Sequence, residues 1–156
     1  MKKVITCILA IGIPLLIGVI GSIFTQESVS TWYLTLEKPS FNPPNYLFPI
    51  AWTYLYITMG FASWLVWLKR DTGSYSRNGL IFYSIQLFFN MMWSYLFFTL
   101  QNPGLALIEI LILLPLIIIT TFYFFKTDRI AGWLMIPYIA WVSFATVLNA
   151  SIYWLN

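Results

Sequence analysis

The chain alternates long apolar stretches with short polar ones. Five stretches, residues 4–25, 47–68, 80–100, 105–125 and 130–155, each stay predominantly apolar. All reach the roughly 20 residues that a helix needs to cross the hydrocarbon core of a bilayer. They are apolar on every side, without the alternation over ~10-residue segments that barrel strands show. The pattern predicts an all-α membrane protein, a bundle of five transmembrane helices forming one domain over residues 1–156. The links differ in kind. Residues 101–104 and 126–129 suit tight antiparallel hairpins, and residues 69–79 read as a plain polar turn. Residues 26–46 are longer and hold Trp32, Tyr33, Leu34, Leu36, Phe41 and the pair Pro43-Pro44. A linker has no need of such aromatics, whereas a loop folded down over the bundle as a lid does.

Charge sharpens this picture. Of eight basic and five acidic residues, only Glu109 falls inside a span. With five spans, Lys2, Lys3, Lys69, Arg70, Arg77, Lys126 and Arg129 lie on one side and Lys38 alone on the other. The positive-inside rule then puts the N-terminus in the cytoplasm and the C-terminus outside. Lys2 and Lys3 before an apolar run resemble a secretory leader. The run exceeds the 7–15 residues of a leader's apolar core, so an uncleaved first helix is expected.

Composition excludes several function classes. The chain is 60% hydrophobic, 20% aromatic and 8% charged, with mean hydropathy +0.82. A soluble domain carries about 25% charged residues. A cytosolic globule, a disordered tail and a nucleic-acid partner are therefore not expected. Histidine is absent and Cys7 is the one cysteine. No histidine metal site, cysteine-rich zinc site, internal disulfide or Ser-His-Asp triad can be assembled. No metal and no required cofactor are expected.

Unusual residues then single out the predicted outer half of the bundle. Trp64, Trp67, Trp133 and Trp154 suit the aromatic belts at the membrane interfaces. Trp52 and Trp93 lie about 7 and 10 Å below the outer ends of their spans, and Trp141 is deeper still. Gln86, Asn90 and Trp93 share one face of the third span, continued by Ser94 and Phe97. Trp141, Ala145 and Asn149 stack on one stripe of the fifth, with Tyr138 a turn below. Trp52, Tyr56 and Gly60 do the same on the second. Asn90 and Asn149 can simply tie helices together. Small residues beside large flat ones, with a few amides, can equally leave room for a planar guest. Glu109, about 7 Å inside its span, is a functional candidate that can snorkel to water, pair within the bundle or remain a neutral acid. Pro14, Pro115 and Pro137 are expected to kink their helices. Gly18 and Ser22 form a small-xxx-small face suited to close helix packing, and Cys7 reads as a small buried hydrophobe.

Trp32-Tyr33, Leu36, Lys38-Pro39, Pro43-Pro44, Phe48, Trp52, Leu55-Tyr56 and Gly60 together resemble the signature of the tryptophan-rich sensory protein and translocator protein (TspO/MBR) family. Gln86, Asn90, Trp93-Ser94 and Phe97-Phe98 are similar to its third-helix motif. Pro137-Tyr138, Trp141, Ala145 and Leu148-Asn149 are similar to its fifth-helix motif. The resemblance, to a bacterial member, covers nearly the whole chain. It implies a five-helix bundle in the bacterial plasma membrane, often a homodimer, with a pocket closed by the first loop. It implies binding of porphyrins such as protoporphyrin IX, of heme in some members, and of isoquinoline carboxamide and benzodiazepine drugs. Ligand contacts would come from Trp32, Tyr33, Pro43, Trp52, Tyr56, Asn90, Trp93, Tyr138, Trp141, Ala145 and Asn149. Relatives are also linked to light- and oxygen-dependent porphyrin breakdown, which would give Trp52 and Trp141 a redox role. The cholesterol motif of eukaryotic relatives is incomplete, because Val147 and Tyr153 are followed by Trp154-Leu155-Asn156 with no basic residue. Without histidine, an iron porphyrin lacks its commonest axial ligand, and a metal-free ring is the simpler guest. A sensor or scavenger, a porphyrin-degrading photo-oxidase and a transporter all remain open. The transporter reading lacks the inverted repeats and broken helix pairs of that class.

Overall fold

The computed structural model describes residues 2–156, and among these there is no strand. The elements in order are α1 (Lys2–Ser30), α2 (Trp32–Thr35), α3 (Leu47–Leu68), α4 (Ser74–Ser94), a π-helical turn (Tyr95–Thr99), α5 (Pro103–Thr127) and α6 (Arg129–Leu155). Four helical segments are long and apolar enough to cross a membrane: Lys2–Ser30, Ser74–Thr99, Pro103–Thr127 and Arg129–Leu155. The remaining long helix, α3, has the expected bounds. Its share of Trp, Tyr, Thr and Pro lowers its hydropathy, and it is not among those four.

Several links are shorter than expected, because helices run past their apolar cores. α4 begins at Ser74, so the polar turn expected over 69–79 shrinks to residues 69–73. Ser76 supports the early start, its hydroxyl lying 2.8 Å from the Gly73 carbonyl and 3.1 Å from that of Arg70. α1 likewise absorbs residues 26–30 of the expected loop. The Ser28 hydroxyl fastens that extension to the Phe98 carbonyl at 2.6 Å. Asp128 caps α6, accepting from the backbone N–H groups of Ile130 (2.8 Å) and Ala131 (3.1 Å) and pairing with Lys69 at 2.7 Å. Partial burial pushes the Asp128 carboxyl up. These hydrogen bonds and the lysine charge outweigh it, holding the group below its usual range. α1, α5 and α6 continue through Pro14, Pro115 and Pro137.

α5 packs against both α4 and α6, α1 against α3, and α3 against α6. Met59, Ala62, Val66, Ile117, Phe124 and Met135 are completely buried in the main core. Tyr33, Phe97, Ala106, Leu148 and Ile152 form a second apolar cluster. The outward faces stay apolar: Ile8, Leu16, Ile23, Ile108 and Leu111 are all exposed, as helices in hydrocarbon require. Small residues set the closest approach. A Cβ on Gly60 would lie 2.7 Å from the Ile11 Cα and 2.8 Å from the Ala10 carbonyl oxygen. Gly60 is therefore a contact between α3 and α1 and does not widen a pocket as the sequence suggested. Gly18 faces the Tyr56 ring, so it is spent inside the chain and unavailable as a dimer surface.

The α1–α3 contact yields a direct test. Gly60→Ala forces backbone against backbone and is expected to cost about 1–3 kcal/mol, the range for overpacking. Gly12→Ala on α1, with nothing within 4 Å of the added Cβ, is expected to leave stability unchanged or slightly raised. Thermal unfolding in detergent checks the pair.

Candidate functional site

The helices enclose a cavity of about 850 Å³, within the range of roughly 300–1,000 Å³ found for small-molecule sites. α3 contributes Trp52 and Tyr56, α4 contributes Asn90 and Trp93, and α6 contributes Trp141, Ala145 and Asn149. The π-helical turn adds Phe97 and Phe98, and α5 adds Ile110 and Leu113. The wall from α1 includes the small residues Gly18, Gly21 and Ser22 beside Leu15, Val19 and Val29. Tyr33 of α2 lines the cavity, as do the exposed polar residues Gln26 and Asn45. No charged side chain is among the lining residues.

Hydrogen bonds fix the amides of this wall. The Tyr56 hydroxyl donates to Asn90 Oδ1 at 2.7 Å, and Asn90 Nδ2 donates to the Tyr138 hydroxyl at 3.0 Å. The Tyr138 hydroxyl in turn donates to Gln86 Oε1 at 2.8 Å. Asn90 thus joins α3, α4 and α6. A second tie lies higher: Trp93 Nε1 donates to Asn149 Oδ1 at 3.0 Å, and Asn149 Nδ2 donates to the Pro103 carbonyl at 2.9 Å. Each asparagine keeps one amide hydrogen uncommitted. The rings interlock as well. Trp52 stacks on Tyr56 with centroids 5.5 Å apart, Trp93 stacks on Phe97 at 5.0 Å, and Phe48 meets Trp141 edge-on at 6.0 Å. Such pairs add about 0.5–1.5 kcal/mol each beyond their buried area.

The family model for the TspO/MBR family matches residues 10–155. The chain belongs to the TspO/MBR family. It is 41% identical to the tryptophan-rich protein TspO of Chlorobaculum tepidum, covering 99% of this chain and 98% of the relative. It is 43% identical to the protein of the same name from Archaeoglobus fulgidus, covering 99% and 97%. The human translocator protein is 33% identical over 83% of this chain and 78% of its own length. A membrane protein of this family is what the apolar helices also describe.

Eight residues singled out from the TspO/MBR signature meet at one cavity: Tyr33, Trp52, Tyr56, Asn90, Trp93, Trp141, Ala145 and Asn149. Three others do not line it. Tyr138 is completely buried behind the wall, its ring edge-on to Trp52 at 6.2 Å. Trp32 packs edge-on against Phe97 at 5.6 Å. Pro43 lies in the segment before α3, where its carbonyl accepts from Asn42 Nδ2 at 3.1 Å. In that segment the Tyr33 hydroxyl donates to Asn42 Oδ1 at 3.0 Å. Burial pushes the Tyr33 phenol above its usual value, though the Asn42 bond opposes this, so it stays a neutral donor. The sequence reading missed the α1 wall. Its signal was the spacing Gly18, Gly21, Ser22 and Thr25, which puts small residues along one side of the helix.

Glu109 lies outside the cavity lining, only 6% exposed, with no hydrogen-bond partner for either carboxyl oxygen. Among the described residues it neither snorkels nor pairs. An unsatisfied buried polar group costs about 1–3 kcal/mol. Glu109→Met is therefore expected to raise stability by about that amount in thermal unfolding. A loss of stability would show that the carboxyl is held by a contact outside the protein's own atoms.

Proposed function

We propose that the chain forms a single five-helix transmembrane domain, with α3 as the fifth span. In this reading it binds porphyrins of the protoporphyrin IX type, and flat hydrophobic drugs of the isoquinoline carboxamide and benzodiazepine types, as a sensor or scavenger. The observation that carries this reading is the uncharged cavity with Trp52, Trp93 and Trp141 in its walls and Gly21 and Ala145 as gaps. Flat rings supply stacking area, and the free amide hydrogens of Asn90 and Asn149 orient the guest. With no cation in the lining, carboxylates of a porphyrin remain near Gln26 and Asn45. The segment before α3 acts as a lid, supported by Phe41 against Phe144 at 6.3 Å and by two 3.0 Å bonds between the Asn156 side chain and the Glu37 backbone. The same reading takes the chain as a homodimer in a bacterial plasma membrane, on a surface other than Gly18.

A second reading, breakdown of the porphyrin under light and oxygen, is favoured by one observation. Trp52 touches Tyr56 and Tyr138, so a row of oxidisable rings leads away from the guest. A photoexcited ring can take an electron from Trp52 or Trp141, with dioxygen as the terminal oxidant, and the protein's part is to place and tune these donors.

Both readings are tested by fluorescence-quenching titration with protoporphyrin IX and by its absorbance decay under fixed illumination. Trp52→Phe and Trp141→Phe are expected to keep most binding but slow decay, because Phe is harder to oxidise. Trp64→Phe and Trp67→Phe, outside the cavity lining, are expected to change neither. Asn90→Ala is expected to weaken binding by about 0.5–1.5 kcal/mol, one neutral hydrogen bond. Equal decay in all variants would end the redox role, and absence of saturable quenching in the parent would end the porphyrin reading.

The cytoplasmic N-terminus is tested by single cysteines in a Cys7→Ser background. An impermeant thiol reagent on intact cells is expected to label Ser40→Cys and spare Tyr75→Cys. The reverse pattern would invert the topology.

A further inference from the structure

At the basic end of the molecule, away from the aromatic cavity, an open groove of about 480 Å³ runs between α3 and α4. Its apolar part is formed by Trp67, Leu80, Ile81 and Ile85, with the small Ser84 between them. Trp67, Ile81 and Ile85 are 43%, 50% and 39% exposed, so the groove is not filled by the protein itself. Its charged part holds Arg70, Arg77 and Asp71. Arg70 lies over the Trp67 ring at 4.7 Å, which aims its stem along the groove wall. Its Nη1 donates to the Trp67 carbonyl at 3.2 Å, its one ion pair, with Asp71, is loose at 3.6 Å, and the Asp71 side chain is 87% exposed. Arg77 makes no hydrogen bond or ion pair to the described residues. By contrast Lys69 is committed to Asp128 at 2.7 Å.

An apolar trough ending in two weakly engaged guanidinium groups matches one kind of molecule that a bilayer supplies on both counts. We propose that this groove binds one anionic phospholipid, with its phosphate between Arg70 and Arg77 and an acyl chain along Trp67, Ile81 and Ile85. Guanidinium forks suit phosphate oxygens, giving short charge-assisted hydrogen bonds in a fixed geometry. Basic pockets between spanning helices on the positive side are where acidic headgroups bind. Asp71 is the one acid in the lining, and its exposure lets it turn to water when the phosphate arrives. The inference rests on α3 lying in the bilayer beside α4, as proposed above. It does not depend on what occupies the aromatic cavity.

The test uses the full chain in nanodiscs of equal phosphatidylglycerol and phosphatidylcholine, followed by extraction into mild detergent and native mass spectrometry. The parent is expected to retain one phosphatidylglycerol per chain, at least tenfold over phosphatidylcholine. Arg70→Gln/Arg77→Gln is expected to lose that preference. Arg77→Gln alone removes no hydrogen bond or ion pair among the described residues, so it is expected to leave folding intact and to lower retention several-fold. Ser84→Phe, which fills the trough without touching a charge, is expected to expel the lipid. Lys126→Gln/Arg129→Gln, at the same end but outside the groove, is expected to retain it. Equal losses in the two charge pairs would reduce the effect to diffuse surface attraction. Retention in Ser84→Phe, or no preference in the parent, would overturn the site.

Discussion

A carboxamide placed deep among apolar helices has no water to turn to, and Asn90 meets that constraint at the junction of three helices. Its oxygen takes the Tyr56 proton from α3 and its nitrogen gives one to Tyr138 on α6. The net worth of such bonds between membrane helices averages only about 0.6 kcal/mol each. Their effect lies in register rather than in stability. A slide of α6 past α4 by one residue, about 1.5 Å, would break both Tyr138 bonds and leave groups of three buried residues, Asn90, Tyr138 and Gln86, unpaired, and that alternative is expensive. Asn149 repeats the device nearer the start of α5, binding Trp93 on one side and the Pro103 carbonyl on the other.

The cavity follows from this framing. With α3, α4 and α6 held by polar ties, the aromatic side chains between those ties have fixed positions. The space they leave is not closed by α1, because α1 presents Gly21 and Ser22 there. Gly21 stands off Ser94, whose hydroxyl would lie 3.4 Å from an added Cβ. The π-helical turn after α4 completes the wall. Its wider repeat, seen in the Leu100 N–H bonding to the Tyr95 carbonyl at 3.0 Å, brings Phe97 and Phe98 to the lining together, and their rings meet at 4.9 Å. Such π segments recur at functional sites. The same turn meets the segment before α3, through Trp32 and Tyr33 against Phe97. Site and segment thus share one apolar cluster.

Much of this arrangement was legible in the sequence, and the reasons for the remainder are specific. Trp52, Asn90, Trp93, Trp141 and Asn149 stood out because they are polar-edged or bulky where a spanning helix is ordinarily aliphatic, and helical spacing put them on facing stripes. Helix ends were misplaced because apolar periodicity marks hydrocarbon depth, whereas helices continue until backbone capping stops them. Thus residues 26–30 and 74–79 are helical despite being polar. Tyr138 looked like part of the wall because it shares the Trp141 stripe. Its extra turn of depth carries it behind Trp52 into full burial. Gly60 looked like free space, yet it is a contact between α3 and α1, whereas Gly18, read as a helix-packing residue, does pack, against the Tyr56 ring of α3. A missing side chain records close approach and open volume in the same way, and only the neighbouring helix decides between them. The π-helical turn has no sequence mark that periodicity can find.

The account turns on a flat guest lying in the cavity framed by the asparagine ties. The most direct measurement is the position of the tetrapyrrole ring in an experimentally determined structure of the protein in complex with protoporphyrin IX. The account predicts ring density between Trp52 and Trp141, with Asn90 and Asn149 still bound to Tyr138 and Pro103. Ring density on the lipid-facing surface, or in the cavity only after those bonds have broken and the helices have shifted, would contradict it.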